Sequence, residues 1–278
     1  MKRNLLLLAI MIMAGYTNAQ IIITGIANDV KGADGNYEYI QLLATEDIDF
    51  AKTPYALVTC TNANTAEPNP GAAPDKGWAT GGGRTYKFNL TAGSVKKGDF
   101  FYVGGNNKRI NGAKSTDIKE AKWIRAIDYK TSEGDDFGAP TGGVLPNSGN
   151  AGGVALFAGL SVTESTIPLD AIFFGGKGKT VMVDIKNNKG YKVPKNDHYD
   201  PINASNGTTQ PFFYQGKNTY VISYLDPAEQ GAFMMLGGEY DVKNKTWKKK
   251  RVVNYFIMSD NTTLGEIEKG KNVTVLSK

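Results

Sequence analysis

Short β-branched and aromatic runs recur along this chain, each ended within a few residues by glycine, proline or asparagine, and they leave little room for helices. The first is Ile21-Ile22-Ile23-Thr24-Gly25-Ile26. Tyr37-Glu38-Tyr39-Ile40-Gln41-Leu42-Leu43 follows and alternates polar with apolar residues, the period of a half-buried strand. Between them, Asp34-Gly35-Asn36 is a turn signal. Further strands are expected over residues 55–59, 85–90, 100–103, 154–157, 171–174, 220–224, 233–236, 239–242, 246–247, 252–258 and 273–276, with a turn at Asn244-Lys245. Thirty-three glycines beside 14 tyrosines and 12 phenylalanines suit short strands joined by tight turns. The best helical segment is 117–127, where Asp117 can cap, Glu120 stands three residues on, and Ile118, Ala121 and Ile124 share a face. Asp226-Pro227 before Gly231 fits a single helical turn. Many short strands with so little helix predict an all-β sandwich or barrel.

The amino terminus carries a different signal. Met1-Lys2-Arg3-Asn4 is basic, residues 5–14 are apolar, and Gly15-Tyr16-Thr17-Asn18-Ala19 is a small-residue cleavage region. The apolar run is too short for an ordinary spanning helix. A secretion signal over residues 1–19, cut after Ala19, is therefore expected, leaving 259 of the 278 residues. No other segment is apolar enough to cross a bilayer, so no membrane span is expected in the mature form. Loss of Lys2 and Arg3 takes the formal charge from +5 to +3, too small an excess to argue for nucleic acid. The single cysteine, Cys60, excludes an internal disulfide, so stability must come from an ordinary core. It also lies too far from the cut to carry a lipoprotein acyl group. Residues 61–84 and 134–153 read as long loops, and the polar stretch 186–216 as a boundary. The expected organisation is a β-sandwich over 20–185 and a smaller β-rich region over 186–278, the latter either a separate small domain or extra strands on the first.

The order of these runs resembles lamin-tail-like domains, immunoglobulin-type sandwiches found in nuclear lamins and in many exported bacterial proteins. The resemblance is carried by Ile21-Ile22-Ile23, by Gly32-Ala33-Asp34-Gly35-Asn36 and by Glu38-Tyr39-Ile40-Gln41-Leu42. Gly98-Asp99-Phe100-Phe101-Tyr102-Val103-Gly104, Gly153-Val154-Ala155-Leu156 and Leu169-Asp170-Ala171-Ile172-Phe173-Phe174-Gly175 complete it, so that it covers roughly residues 21–178. The chain departs from the pattern at Gln41, where the family has a second Glu, and in its long loops at 61–84 and 106–150. The resemblance implies an immunoglobulin-like sandwich serving as a scaffold or binding domain, with no catalytic residues to carry over. It implies structural roles for Glu38 and Asp170, each held by backbone or by a basic partner.

Chemistry-bearing residues are few. One histidine, His198, excludes multi-histidine metal sites and stands in a polar loop. Cys60 follows an apolar strand with nothing basic adjacent, which favours an inert buried thiol. Calcium is the metal best suited to the oxygens present: Asp29, Asp34 and Asn36, with Glu38, lie within one hairpin, although Asp34-Gly35-Asn36 also reads as plain turn chemistry. No other cofactor is expected. Glu133, Asp135, Asp136, Glu229 and Glu239 are available for carboxylate-dependent glycoside hydrolysis. One cluster of charge stands out: Lys243, Lys245, Lys248, Lys249, Lys250 and Arg251, with Trp247 inside it. It reads either as a contact for an acidic polymer or as an edge strand protected by lysines. Trp78, in a glycine-rich loop, is the aromatic best placed to stack on a sugar ring.

These readings predict an exported protein, periplasmic or extracellular, that binds a carbohydrate or another surface polymer without catalysis, through Trp78, Trp247, Lys248, Lys249, Lys250 and Arg251. A secreted polysaccharide hydrolase and a self-assembling or protein-binding component of the cell surface are the alternatives.

Overall fold

The structure, a computed structural model, describes residues 20–61, 85–147, 152–163, 166–175, 196–197, 222–223 and 231–278. The strands are β1 (Ile21–Ala27), β2 (Tyr39–Ala44), β3 (Ile48–Asp49), β4 (Tyr55–Thr61), β5 (Thr85–Leu90), β6 (Ser94–Val95) and β7 (Phe100–Gly105). They continue with β8 (Trp123–Ile127), β9 (Gly152–Ala158), β10 (Asp170–Phe174), β11 (Ala232–Asp241), β12 (Thr246–Ile257) and β13 (Val275–Ser277). The single described helix is α1 (Leu264–Glu268).

The fold is an all-β sandwich. One sheet runs β12-β11-β1-β2-β7-β8, with β13 added beside the far half of β11. The other runs β10-β9-β4-β5, and β3 with β6 forms a small ribbon. Ile21, Ile23, Ile26, Ile40, Leu42, Phe101 and Val103 of the first sheet meet Leu57, Phe88, Leu90, Val154, Leu156, Ile172 and Phe174 of the second in one apolar core. The strands of region 186–278 are not set apart from it: β11 pairs antiparallel with β1, aligning Gly25 with Met235 and Ile26 with Met234.

Strand β1 is buried along its whole length because the first sheet is covered on both faces. On the side away from the sandwich core, Tyr39, Tyr102, Phe233 and Met235 pack with Ile110, Ile118 and Ile267. A register shift between Ile23 and Gly25 keeps Ile21, Ile23 and Ile26 all on the core side. The same bulge turns Gly25 outward beneath the Phe233 ring, where a Cβ would stand 2.2 Å from the ring tip. Gln41 faces the outer layer. Its amide donates to the Ile267 carbonyl at 3.0 Å and to the Tyr102 hydroxyl at 3.2 Å, and Tyr102 in turn donates to Glu268 at 2.7 Å. Helix α1 is thereby fastened to the sheet by residues of β2 and β7.

The expected helix over 117–127 does not form. Residues 123–127 are β8, parallel to β7, and Asp117 accepts the backbone N–H of Lys119 at 2.9 Å in a local turn. The capping residue was real but served a turn. The aromatic and β-branched Trp123, Ile124 and Ile127 gain more from pairing with β7 than from a short helix. Conversely, the runs at 233–236 and 239–242 are one strand, as are those at 246–247 and 252–258. Bulges at Gly237/Glu239 and Glu239/Tyr240 carry β11 and β12 past the glycines and the charge run. Of the expected strand at 220–224, Ile222 makes a parallel bridge to Phe174. Residues 1–19, most of 61–84 and the Asp226-Pro227 turn lie outside the described residues.

Candidate functional site

The β11–β12 hairpin carries the charge cluster, and the structure divides it. Lys245 takes φ 53° in the turn. Lys248 pairs with Asp241 at 3.4 Å and reaches the Lys278 carbonyl at 2.9 Å. Lys249 pairs with Glu239 at 3.2 Å, and its side chain remains 77% exposed. Lys249 and Lys250, with Lys271 from the segment before β13, line an open groove of about 510 Å³. Its floor includes Gly237, Gly238, Val252, Val273 and Val275, and Glu239 is its one acidic lining residue. Val252 and Val275 are 65% and 50% exposed there. The sequence brought out Lys249 and Lys250 but not Lys271, which is distant along the chain and carries no local signal.

Arg251 does not belong to that surface, and its expected role as a ligand contact is corrected: the residue is 1% exposed. Its guanidinium forks onto both Asp170 oxygens at 2.8 Å and onto Asp197 Oδ1 at 2.7 Å, and it donates to the Ile23 carbonyl at 2.8 Å. Asp170 also accepts the Ile23 N–H at 2.8 Å. Burial alone would discharge the arginine, but the two carboxylates more than offset it and hold the guanidinium above its ordinary range. Burial pushes the Asp170 carboxyl up against the opposing pull of Arg251. Trp247 is likewise taken up by packing. It stacks edge-on to Tyr240 at 5.2 Å and carries Arg251 over its ring at 4.5 Å.

The expected calcium residues separate too. Asn36 holds φ 68°, donates to Asp128 at 2.6 Å and accepts the Lys130 N–H at 3.4 Å, so it serves the turn. Asp34 is pushed up to about 6 by burial and by the neighbouring Asp29 charge, with the hydrogen bond from Asn147 pulling the other way. Asp29 is raised by burial. Glu38 is 1% exposed and raised well above the carboxylate range, chiefly by burial. Glu38 accepts the Val144 N–H at 2.6 Å, and the Tyr129 hydroxyl lies 3.0 Å from both Glu38 Oε2 and the Asp34 carbonyl. Among the described residues, no three His, Cys, Asp or Glu side chains are grouped to hold one metal ion.

The hydrolase carboxylates are mostly engaged in ion pairs. Asp135 is forked by Arg125 at 2.7 and 3.0 Å, and Glu239 is paired with Lys249. Asp136 pairs with the buried Lys87, whose hydrogen bond holds that carboxyl below its ordinary range. Cys60 is fully buried, lies 3.6 Å from the Gly153 carbonyl, and is pushed up by burial, as suits an inert thiol. Trp78, His198 and Glu229 lie outside the described residues. No described helix is long and apolar enough to cross a membrane.

No family model, curated protein or solved structure matches this chain.

Proposed function

We propose that this is an exported, non-catalytic binding protein whose β11–β12 groove captures an acidic polysaccharide. The observation that carries the reading is the groove lining: Lys249, Lys250 and Lys271 face solvent against the single Glu239. Exposed Val252 and Val275 between them offer an apolar strip against which the C–H face of a sugar ring can lie. Lysines on a concave surface attract a polyanion, and an open groove suits a chain rather than a small enclosed ligand. The basic, apolar and small-residue order of residues 1–19 supports export. The lamin-tail-like reading of the first half rests on the order of its sequence motifs, most of which fall on β1, β2, β7, β9 and β10 and one, residues 32–36, between β1 and β2. The engagement of Asp135, Asp136 and Glu239 in ion pairs favours binding over hydrolysis.

The test is a panel of uronate-rich, sulfated and neutral polysaccharides, with the supernatant analysed for released sugars by mass spectrometry. Saturable, salt-sensitive binding to the acidic members without product supports the reading. Released oligosaccharide would replace it with the hydrolase alternative, and indifference to all polymers would move the role to a protein partner.

A further inference from the structure

Residues 28–38 and 143–147 meet at a second place, away from the basic groove. Segment 144–147 fastens three side chains there by one atom each. The Val144 and Leu145 N–H groups donate to Glu38 Oε2 at 2.6 and 3.4 Å. The Pro146 carbonyl accepts Asn28 Nδ2 at 2.9 Å, and Asn147 Nδ2 donates to Asp34 Oδ2 at 2.8 Å. In all three cases the remaining oxygen is buried and has no hydrogen-bond partner among the described residues: Glu38 Oε1, Asn28 Oδ1 and Asp34 Oδ1, the Asp34 carboxyl having besides Asn147 only the electrostatic pull of the Val30 N–H. Asn28 and Glu38 are 0% and 1% exposed, so bulk water does not satisfy these atoms. Gly143 keeps the space beside Glu38 Oε1 open, since a Cβ there would stand 3.2 Å from that oxygen.

The charge is as one-sided as the hydrogen bonding. Asp29, Asp34 and Glu38 repel in sequence along this cluster, and no ion pair to them is made among the described residues. Two carboxylate oxygens and an amide oxygen, all lacking donors, form a hard-oxygen set. We propose that Asn28 Oδ1, Asp34 Oδ1 and Glu38 Oε1 are ligands of a calcium ion that ties the 28–38 turn to segment 143–147. The remaining positions of a calcium shell fall to water or backbone carbonyls. Three side-chain ligands, two of them charged, place the affinity in the weak class, with Kd of about 10⁻⁴–10⁻³ M. Magnesium, which demands a tight octahedron and holds its water, fits a turn-and-loop site less well. The assignment keeps Asp34 and Glu38 from the sequence-based oxygens, leaves out Asp29, and puts Asn28 in place of Asn36.

The experiment is a calcium titration of the purified, chelator-stripped protein, read by melting temperature and by terbium luminescence excited through Tyr129 and neighbouring tyrosines. The expected result is a rise of about 3 °C or more at about 10 mM calcium, a smaller one with magnesium, and terbium emission that calcium displaces. Asp34→Asn and Glu38→Gln, both isosteric, are each expected to weaken the calcium response about tenfold, while Lys52→Gln, at an exposed side chain outside both sites, leaves it unchanged. Absence of both signals in the native protein, or a response undiminished in both carboxylate variants, overturns the assignment.

Discussion

The Arg251 guanidinium meets the Asp170 carboxylate through two parallel hydrogen bonds of 2.8 Å, across 81 residues of chain and across the two sheets of the sandwich. Arg251 belongs to β12 of the first sheet and Asp170 opens β10 of the second. Ile23 of β1 contributes its carbonyl to the arginine and its N–H to the aspartate, so three strands close on one buried charge pair. Asp197 completes the shell. The carboxy-terminal hairpin is thus tied to the sandwich by electrostatics as well as by the pairing of β11 with β1.

Arg251→Met tests this tie. It leaves Asp170 and Asp197 buried without their cation, and removing one partner of such a pair costs about 3–5 kcal/mol. Urea denaturation followed by tryptophan fluorescence is expected to show the unfolding free energy lowered by that amount, with a correspondingly lower midpoint. Arg251→Lys recovers only part of it, because an ammonium cannot fork onto both Asp170 oxygens. A loss below about 1 kcal/mol for Arg251→Met would mean that the pair contributes specificity and little stability.

Much of the sandwich was legible because strand periodicity is local. The alternation at Tyr39-Ile40-Gln41-Leu42 survives in the structure, with Ile40 and Leu42 in the sandwich core and Tyr39 and Gln41 on the outer layer. The helix over 117–127 was misread because a capping aspartate has the same local chemistry in a turn as at a helix start. Arg251 was misread for a different reason. Its neighbours Lys248, Lys249 and Lys250 are solvated, and only the distant Asp170 and Asp197 make position 251 internal. Asn28 carried no signal at all, since its unmet oxygen depends on Pro146, 118 residues away. The turn chemistry legible at Asn36 is what the structure shows there, a positive φ and hydrogen bonds to Asp128 and Lys130.

Gly25 is the tightest point between β1 and the outer layer, because the Phe233 ring occupies the place of its missing side chain. Gly25→Ala is expected to displace that ring and to destabilise the protein by about 1–3 kcal/mol, the range for overpacking. The companion Gly25→Ala/Phe233→Leu, which trims the obstructing ring, is expected to regain part of the loss in thermal melts. Equal stability of Gly25→Ala and the native protein would show that the ring moves freely.

The groove lysines are predicted to separate binding from stability. Lys249→Glu, Lys250→Glu and Lys271→Glu lie on exposed positions, so each is expected to change stability by about 0.5 kcal/mol or less. Together they invert the charge of the lining and are expected to abolish retention on an acidic polysaccharide, measured by affinity electrophoresis. Retention by the native protein is expected to weaken steeply with salt, because exposed charges are screened. Unchanged retention in the triple variant would move the binding surface off this hairpin.

The carboxyls of the 28–38 turn predict how stability responds to pH when divalent cations are chelated. An unfolded aspartate titrates near about 3.9, whereas burial and the Asp29 charge raise Asp34 to about 6 in the folded protein. The folded state therefore holds the proton more tightly than the unfolded state. The stabilisation is fully present below about pH 4 and is lost as pH rises through about 6. Glu38 is raised in the same direction, so it contributes with the same sign. Because Asp34 is partly exposed, solvent screening reduces its share to about 1 kcal/mol. In chelator, the denaturation midpoint is expected to fall between pH 5 and pH 7.5, and Asp34→Asn is expected to flatten that fall. Calcium is expected to restore the midpoint more at pH 7.5 than at pH 5, since protons and the cation compete for the same oxygens. A midpoint that rises over this interval in chelator would place the controlling carboxylates elsewhere in the sandwich.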